Sequence, residues 1–109
     1  MAYDKALANR LRLILSGTGG ILEKQMFGGI GYILNGNMAC GVIGSDLIVR
    51  VGVEGQAEAL LHPHARPFDY SGRPMKGWVY VAPEGCRSEE ELCAWVQRGV
   101  DYAGSLPPK

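Results

Sequence analysis

The fold of this chain is decided by the stretch Met26-Phe27-Gly28-Gly29-Ile30-Gly31-Tyr32, which continues through Asn35-Gly36-Asn37-Met38 to Leu47-Ile48-Val49-Arg50-Val51. Short apolar segments are separated there by turn residues. The pattern predicts four short strands at Ile21–Phe27, Ile30–Leu34, Met38–Ile43 and Leu47–Val51. Because connections this short leave no room for crossover helices, we expect the strands to run antiparallel as a meander.

The connections between these strands decide which side chains share a face of the sheet. Asn35-Gly36 is typical of a two-residue type I′ turn, but that turn would set large residues opposite Asn37, Ala39 and Gly41. We therefore predict a three-residue loop at Asn35-Gly36-Asn37 and a similar loop at Gly44-Ser45-Asp46. With these loops one face carries Gly31, Ile33, Ala39, Gly41, Ile43, Leu47, Val49 and Val51, and the other carries Ile30, Tyr32, Leu34, Met38, Cys40, Val42, Ile48 and Arg50. Small central residues on the first face would allow close packing, so we expect the helices to cover it.

Helices are predicted at both ends of the chain and directly after the meander. Asp4 is a suitable N-cap for a first helix with an apolar stripe at Leu7, Leu11, Ile14 and Leu15. A short helix is predicted from Val53 to Leu61, stopped by His62-Pro63. Ser88 and Glu91 have the spacing of a capping box, which starts a last helix with a buried stripe at Leu92, Trp95, Val96, Gly99 and Ala103.

Two later segments extend the sheet. Pro67–Tyr70 is predicted to be a brief extended segment, and Trp78–Val81 a clear fifth strand. The sequence therefore predicts a single α+β domain over residues 1–109. Its antiparallel sheet has five to six strands, the four-strand meander plus one or two later strands. N-terminal, middle short and C-terminal helices complete the order α-β4-α-β2-α.

Charge and cysteine content indicate the class of protein. Eleven basic residues balance eleven acidic ones, so no overall field attracts nucleic acid or an anionic membrane, and direct nucleic-acid binding is not expected. Cys40, Cys86 and Cys93 lack a paired framework, which indicates reduced thiols with Cys40 and Cys93 as small core residues. We find no leader peptide and no apolar run of the roughly 20 residues that span a bilayer, so we expect a cytoplasmic protein.

Motifs for catalysis, cofactor binding or metal binding are not found in the sequence. His62 and His64 are the only histidines, and no cysteine or carboxylate is suitably placed to complete a metal site with them. The glycines of Phe27-Gly28-Gly29-Ile30-Gly31 are followed by a strand and lack the lysine of a phosphate-binding loop. No serine lies in a G-x-S-x-G motif. We therefore predict no catalytic, cofactor-binding or metal-binding residues.

Two groups of residues are candidates for binding a partner or a ligand. Arg66, Arg73 and Lys76 are interleaved with Phe68, Tyr70 and Trp78, a mixture suited to phosphate contacts and base stacking. The simpler interpretation is that the aromatic rings point inward and the cations are solvated. Tyr32, Met38 and Arg50 share the bulky sheet face and are residue types enriched in protein interfaces. A single strand arginine also occurs at sheet edges with its head in water, and that alternative stays open.

Several segments together resemble the TfoX (Sxy) N-terminal domain family: Met26-Phe27-Gly28-Gly29, Asn35-Gly36-Asn37-Met38, Leu47-Ile48-Val49-Arg50-Val51, Arg66-Pro67-Phe68-Asp69-Tyr70 and Met75-Lys76-Gly77-Trp78-Val79-Tyr80. The resemblance covers nearly the whole chain and implies a small α+β domain with helices on an antiparallel sheet. It also implies a bacterial regulator of competence, a transcriptional coactivator that acts with the cyclic-AMP receptor protein. Longer family members carry a second, C-terminal helical domain, and we expect this chain to be a stand-alone member without it.

Two functions from different classes are consistent with these observations. The first is a non-enzymatic regulatory interaction module that binds a protein partner, such as a transcription factor or a second copy of the chain. It would use Tyr32, Met38 and Arg50, or the segment Arg66–Lys76. The alternative is a small-molecule binding protein or weak enzyme with a pocket under the Arg66–Lys76 loop, where Arg73 and Lys76 would bind an anionic group.

Overall fold

Three helices and a six-stranded antiparallel sheet make up the described part of the protein. The computed structural model describes residues 3–26, 28–70 and 73–108, without the side chains of Met26, Tyr70, Arg73 and Pro74. In chain order the elements are α1 (Lys5–Leu15), β1 (Ile21–Met26), β2 (Gly29–Leu34), β3 (Asn37–Ile43), β4 (Asp46–Arg50), α2 (Val53–Ala59), β5 (Ala65–Tyr70), β6 (Arg73–Val81) and α3 (Glu89–Ser105), with a short 3₁₀ turn at Pro83–Gly85. The spatial order of the strands is β1-β2-β3-β4-β6-β5. The predicted α+β class and element order are confirmed.

The helix starts follow from local side-chain chemistry. The Asp4 carboxylate accepts hydrogen bonds from the main-chain N–H groups of Ala6 and Leu7, at 2.9 and 3.2 Å. At the start of α3, Ser88 and Glu91 each accept a hydrogen bond from the other's main-chain N–H. These contacts satisfy N–H groups that have no partner within their helix. Both predicted caps are confirmed.

The turn between β2 and β3 differs from our prediction. Leu34 pairs with Asn37, so only Asn35 and Gly36 form the turn. Both have positive φ, 52° and 86°, as a type I′ turn requires. The three-residue loop predicted at Asn35-Gly36-Asn37 is therefore wrong. The mismatch that we expected from the two-residue turn is repaired by a β-bulge, because Tyr32 pairs with Cys40 and Ile33 with Met38, leaving Ala39 as the extra residue.

The turn between β3 and β4 also differs. Ile43 pairs with Asp46, so the connection consists of Gly44 and Ser45 alone. The predicted loop at Gly44-Ser45-Asp46 is one residue too long. A change of one residue in register moves a side chain to the opposite side of the sheet. The two turns and the bulge therefore determine which side chains of the meander face the helices.

The main apolar core of the described residues lies between the three helices and one face of the sheet. Its strand residues are Ile30, Tyr32, Cys40, Val42, Leu47, Val49, Val79 and Val81, and its helix residues include Leu7, Leu11, Leu15, Ala59, Leu92, Trp95 and Val96. The predicted faces are thus correct for β4 and reversed for β2 and most of β3. Gly31 and Gly41 pair with each other on the side away from the helices, contrary to our expectation that helices would cover them.

Close packing of a helix on the sheet does occur, and a glycine of the helix makes it possible. Gly99 of α3 lies against β3, where a Cβ atom on Gly99 would collide with the main-chain carbonyl of Ala39. Ala39 is also buried against Ala103 of the same helix. The bulge residue is therefore the point at which α3 sits on the sheet.

The three thiols have different environments. Cys40 and Cys86 are buried, and Cys93 is exposed, so the expectation that Cys93 belongs to the core is wrong. Burial raises the pKa of both buried thiols, that of Cys40 to about 12. A thiol that stays protonated and has no solvent access does not act as a nucleophile.

Thiol titration at pH 8 with an aromatic disulfide reagent should therefore show one fast-reacting cysteine in the native protein. The variant Cys93→Ser should lose that fast phase entirely. In denaturant, all three thiols of the unmodified chain should react. A remaining fast thiol in native Cys93→Ser would contradict the burial of Cys40 or Cys86.

Among the described residues, no helix is both long and apolar enough to span a bilayer.

Candidate functional site

The face of the sheet that turns away from the helices is the candidate site, and we name it the open face. Strand alternation and register place on it Leu22 and Lys24 of β1, Ile33 of β2, Met38 and Ile43 of β3, Asp46, Ile48 and Arg50 of β4, Arg66 and Phe68 of β5, and Trp78 and Tyr80 of β6. In the described ranges the helices pack on the other face, and Tyr102 of α3 reaches Arg50 at the end of β4. Leu22, Lys24 and Arg66 are exposed on the open face, so part of it is available to a partner.

Aromatic residues form the centre of the open face. The ring of Phe68 meets that of Tyr80 edge-on with 4.7 Å between centroids, and Trp78 lies 6.1 Å away. Phe68 is only 2% exposed and Ile48 1%. Trp78 and Tyr80 are half-buried. The face thus has a packed apolar floor with two aromatic rings partly open to solvent.

Arginine side chains flank these rings and are held by them. The guanidinium group of Arg66 lies 4.6 Å from the centroid of Tyr80 and donates a hydrogen bond of 2.8 Å to Asp46. Arg50 lies 5.5 Å from the centroid of Trp78 and 5.4 Å from that of Tyr102 on α3. Such cation–π contacts restrict the arginine heads before any partner arrives. The two cations are therefore partly preorganised.

Arg50 does not lie at a sheet edge. Its strand, β4, is an inner strand between β3 and β6, and its guanidinium group contacts two aromatic rings. The alternative of an arginine at a sheet edge is therefore wrong. The cause is long-range, since β6 pairs with β4 only after α2 and β5 have returned the chain to the sheet.

The structure separates the three residues that we expected to share one surface. Met38 and Arg50 lie on the open face, with the Met38 methyl group beside Gly41. Tyr32 lies on the helix side, only 1% exposed, and its hydroxyl donates to the main-chain carbonyl of Ala8 at 3.1 Å. The two shorter turns explain the difference, because Met38 pairs with Ile33 where we expected Leu34, and Cys40 pairs with Val49 where we expected Arg50.

The described parts of the segment from Arg66 to Lys76 belong to β5 and β6, which agrees with the extended segment predicted at Pro67–Tyr70. Lys76 is exposed, while Arg66 is neutralised by Asp46. The side chain of Arg73 lies outside the described residues. An anion would have to compete with Asp46 for Arg66, which disfavours that arginine as an anion-binding residue.

A cleft of about 270 Å³ lies on the helix side, between α1 and β1. Arg12 closes one wall by donating two hydrogen bonds of 2.9 Å to the carboxylate of Glu23. This pairing lowers the pKa of Glu23, and burial raises that of Tyr32 to about 12. The cleft therefore holds an ionised pair and a protonated phenol, neither of which is poised for acid–base exchange near neutral pH.

Metal-ligating side chains do not cluster in the parts of the chain that the structure covers, where no group of three or more potential ligands occurs. Ile33, Ile43, Ile48, Phe68 and Tyr80 on the open face were not predicted as site residues. For Ile33 the available signal was the Asn35-Gly36 dipeptide, since a type I′ turn there pairs Ile33 with Met38.

The chain was compared with models of known families. The family model for the TfoX N-terminal domain matches residues 14–103, which run from the end of α1 into α3 and include every strand. No curated protein matches the chain.

Proposed function

The chain belongs to the TfoX N-terminal domain family, and from this premise we propose that it is a non-enzymatic regulatory module that binds a protein partner through the open face. The partner proposed is a transcription factor, because the family resemblance implies a coactivator role. The open face supports this proposal by its residue types. Tryptophan, tyrosine, methionine and arginine are enriched in protein interfaces, and Trp78, Tyr80, Met38 and Arg50 lie together on it.

The observation that carries the proposal is the arginine–aromatic arrangement. When a partner binds, ordering a flexible arginine side chain costs conformational entropy. This cost is smaller if the guanidinium group already rests on an aromatic ring. Arg50 between Trp78 and Tyr102, and Arg66 on Tyr80, satisfy this condition. The half-buried rings beside them supply apolar area for a partner. Residues of this kind, in a partly desolvated centre, dominate the energy of many interfaces.

The test is binding to the purified cyclic-AMP receptor protein of the same organism, measured by biolayer interferometry with that receptor immobilised. We expect the unmodified chain to bind and the variants Ile33→Glu and Arg50→Ala to bind at least roughly tenfold more weakly. Leu13→Glu is the matched control, since Leu13 is 75% exposed on α1 and far from the open face. Thermal melting of each variant checks that it is folded.

Two results would contradict the proposal. One is the absence of binding by the unmodified chain, which would remove this transcription factor as the partner. The other is equal binding by the open-face variants and the control, which would place the interface elsewhere on the protein.

A further inference from the structure

The two edges of the sheet differ in their ability to accept another strand. At the β5 edge, Pro67 has no N–H group to donate, and the register with β6 shifts between Pro67 and Asp69. Proline and strand irregularity are two common ways in which proteins protect a sheet edge. The β1 edge has neither, because β1 contains no proline and pairs with β2 in unbroken register from Ile21 to Met26.

The side chains of β1 leave its edge approachable. Leu22 is 68% exposed on the open face, beside its pairing partner Ile33. The Glu23 carboxylate is held on the helix side by the two hydrogen bonds from Arg12. In the part of the chain that the structure describes, β1 pairs only with β2. Backbone donors and acceptors along the other side of β1 are suited to strand addition.

We propose that β1 pairs antiparallel with β1 of a second copy of the chain, joining two sheets into one. Facing residues of an antiparallel pair lie on the same side of the sheet, so the two-fold axis must set one residue of β1 opposite its own copy. At Glu23 or Lys24 this arrangement brings like charges together, which is destabilising. At Gln25 it leaves both Leu22 side chains uncovered.

A register centred on Leu22 satisfies these conditions. The two exposed leucines then cover each other on the open face, and Ile21 of each chain lies opposite Glu23 of the other. In this register the β1 edge is complementary to itself, and for this reason we infer that the added strand comes from a second copy of the chain. An isologous contact of this kind is also the commonest route to a symmetric dimer. The inference does not depend on the proposed function.

Disulfide cross-linking tests the register directly, in a Cys93→Ser background that removes the exposed native thiol. Leu22→Cys should form a covalent dimer on mild oxidation, because facing strand residues lie within the Cα separation that a disulfide requires. Lys24→Cys is the matched control, since its two copies would lie four positions apart along the strands. Equal cross-linking at the two positions, or none at position 22, overturns the proposal.

Sedimentation equilibrium tests the dimer without any engineered thiol. The unmodified chain should dimerise reversibly, and Leu22→Lys should weaken the dimer roughly tenfold or more by facing two cations. Leu13→Lys, the same change at an exposed helix position, should leave it unchanged. A monomer at concentrations up to roughly 1 mM, or a dimer that Leu22→Lys does not weaken, overturns the proposal. Far-UV circular dichroism confirms that each variant is folded.

Discussion

Replacing Gly99 with leucine should lower the free energy of unfolding severely, by about 3 kcal/mol or more. Gly99 lies where α3 rests on β3, and any Cβ atom there meets the main-chain carbonyl of Ala39. That carbonyl belongs to the sheet and cannot move aside as the end of a flexible side chain can. Adding carbon atoms to a packed core costs about 1–3 kcal/mol and sometimes more, against a total stability of about 5–15 kcal/mol for a typical domain. A leucine adds four carbon atoms at this point.

Gly99→Ala isolates the packing effect, and Gly104→Ala is its matched control in the same helix. Helix propensity alone favours alanine over glycine by about 1 kcal/mol in a helix interior. At Gly104 a Cβ atom meets only Leu34, at an ordinary 3.6 Å, so Gly104→Ala should raise the free energy of unfolding slightly. Gly99→Ala should lower it by about 1–3 kcal/mol.

Urea unfolding followed by far-UV circular dichroism measures both free energies. The opposite signs of the two changes are the decisive result, because the same substitution in the same helix differs only in what the added carbon meets. If Gly99→Ala were as stable as the unmodified chain, the close approach of α3 to Ala39 would be wrong.

Tyr32→Ala should be the second severe substitution, with a loss of about 3–5 kcal/mol in the free energy of unfolding, as for other buried aromatic residues. Tyr32→Phe keeps the ring and removes only the hydrogen bond to the Ala8 carbonyl, so it should cost about 1 kcal/mol. Leu13→Ala, at an exposed leucine of α1, should change the free energy by less than about 0.5 kcal/mol. Denaturant titration of the three variants provides the comparison.

The pH dependence of the free energy of unfolding is an independent check on the burial of Tyr32. Its pKa is raised by burial to about 12 from an ordinary value of 10, so the folded state favours the protonated phenol. The resulting contribution to stability is complete below pH 10 and is lost as the pH rises toward 12. Tyr32→Phe should remove the part of the stability loss at high pH that is due to Tyr32, and leave the part due to Cys40. If Tyr32→Ala left the free energy of unfolding unchanged at every pH, Tyr32 would be a surface residue and its burial would be wrong.

Local signals in the sequence were sufficient for the element order. Asp4, Ser88 and Glu91 identify the helix starts because a cap depends only on residues within one turn. The short strands and their antiparallel course follow from connections that are too short for a crossover. These features require no knowledge of the rest of the chain.

The faces of the sheet could not be predicted with the same success. They depend on a difference of one residue in the turns at Asn35-Gly36 and Gly44-Ser45, and on the bulge at Ala39, which has no distinctive residue type. The position of Arg50 was missed for a different reason. Its contacts with Trp78 and Tyr102 arise from β6 and α3, which are distant in sequence, and no local pattern indicates that β6 lies beside β4.

The bulge at Ala39 has a consequence for how this strand can vary through insertion and deletion. Loss of Ala39 would join Met38 directly to Cys40, so that the pairs Ile33–Met38 and Tyr32–Cys40 would follow each other without a bulge and Cys40 and Val42 would keep their side of the sheet. It would also remove the carbonyl against which Gly99 rests. The strand pairing is therefore expected to tolerate a one-residue deletion at Ala39 more readily than at later positions of β3, where a deletion would move the following side chains to the opposite side of the sheet.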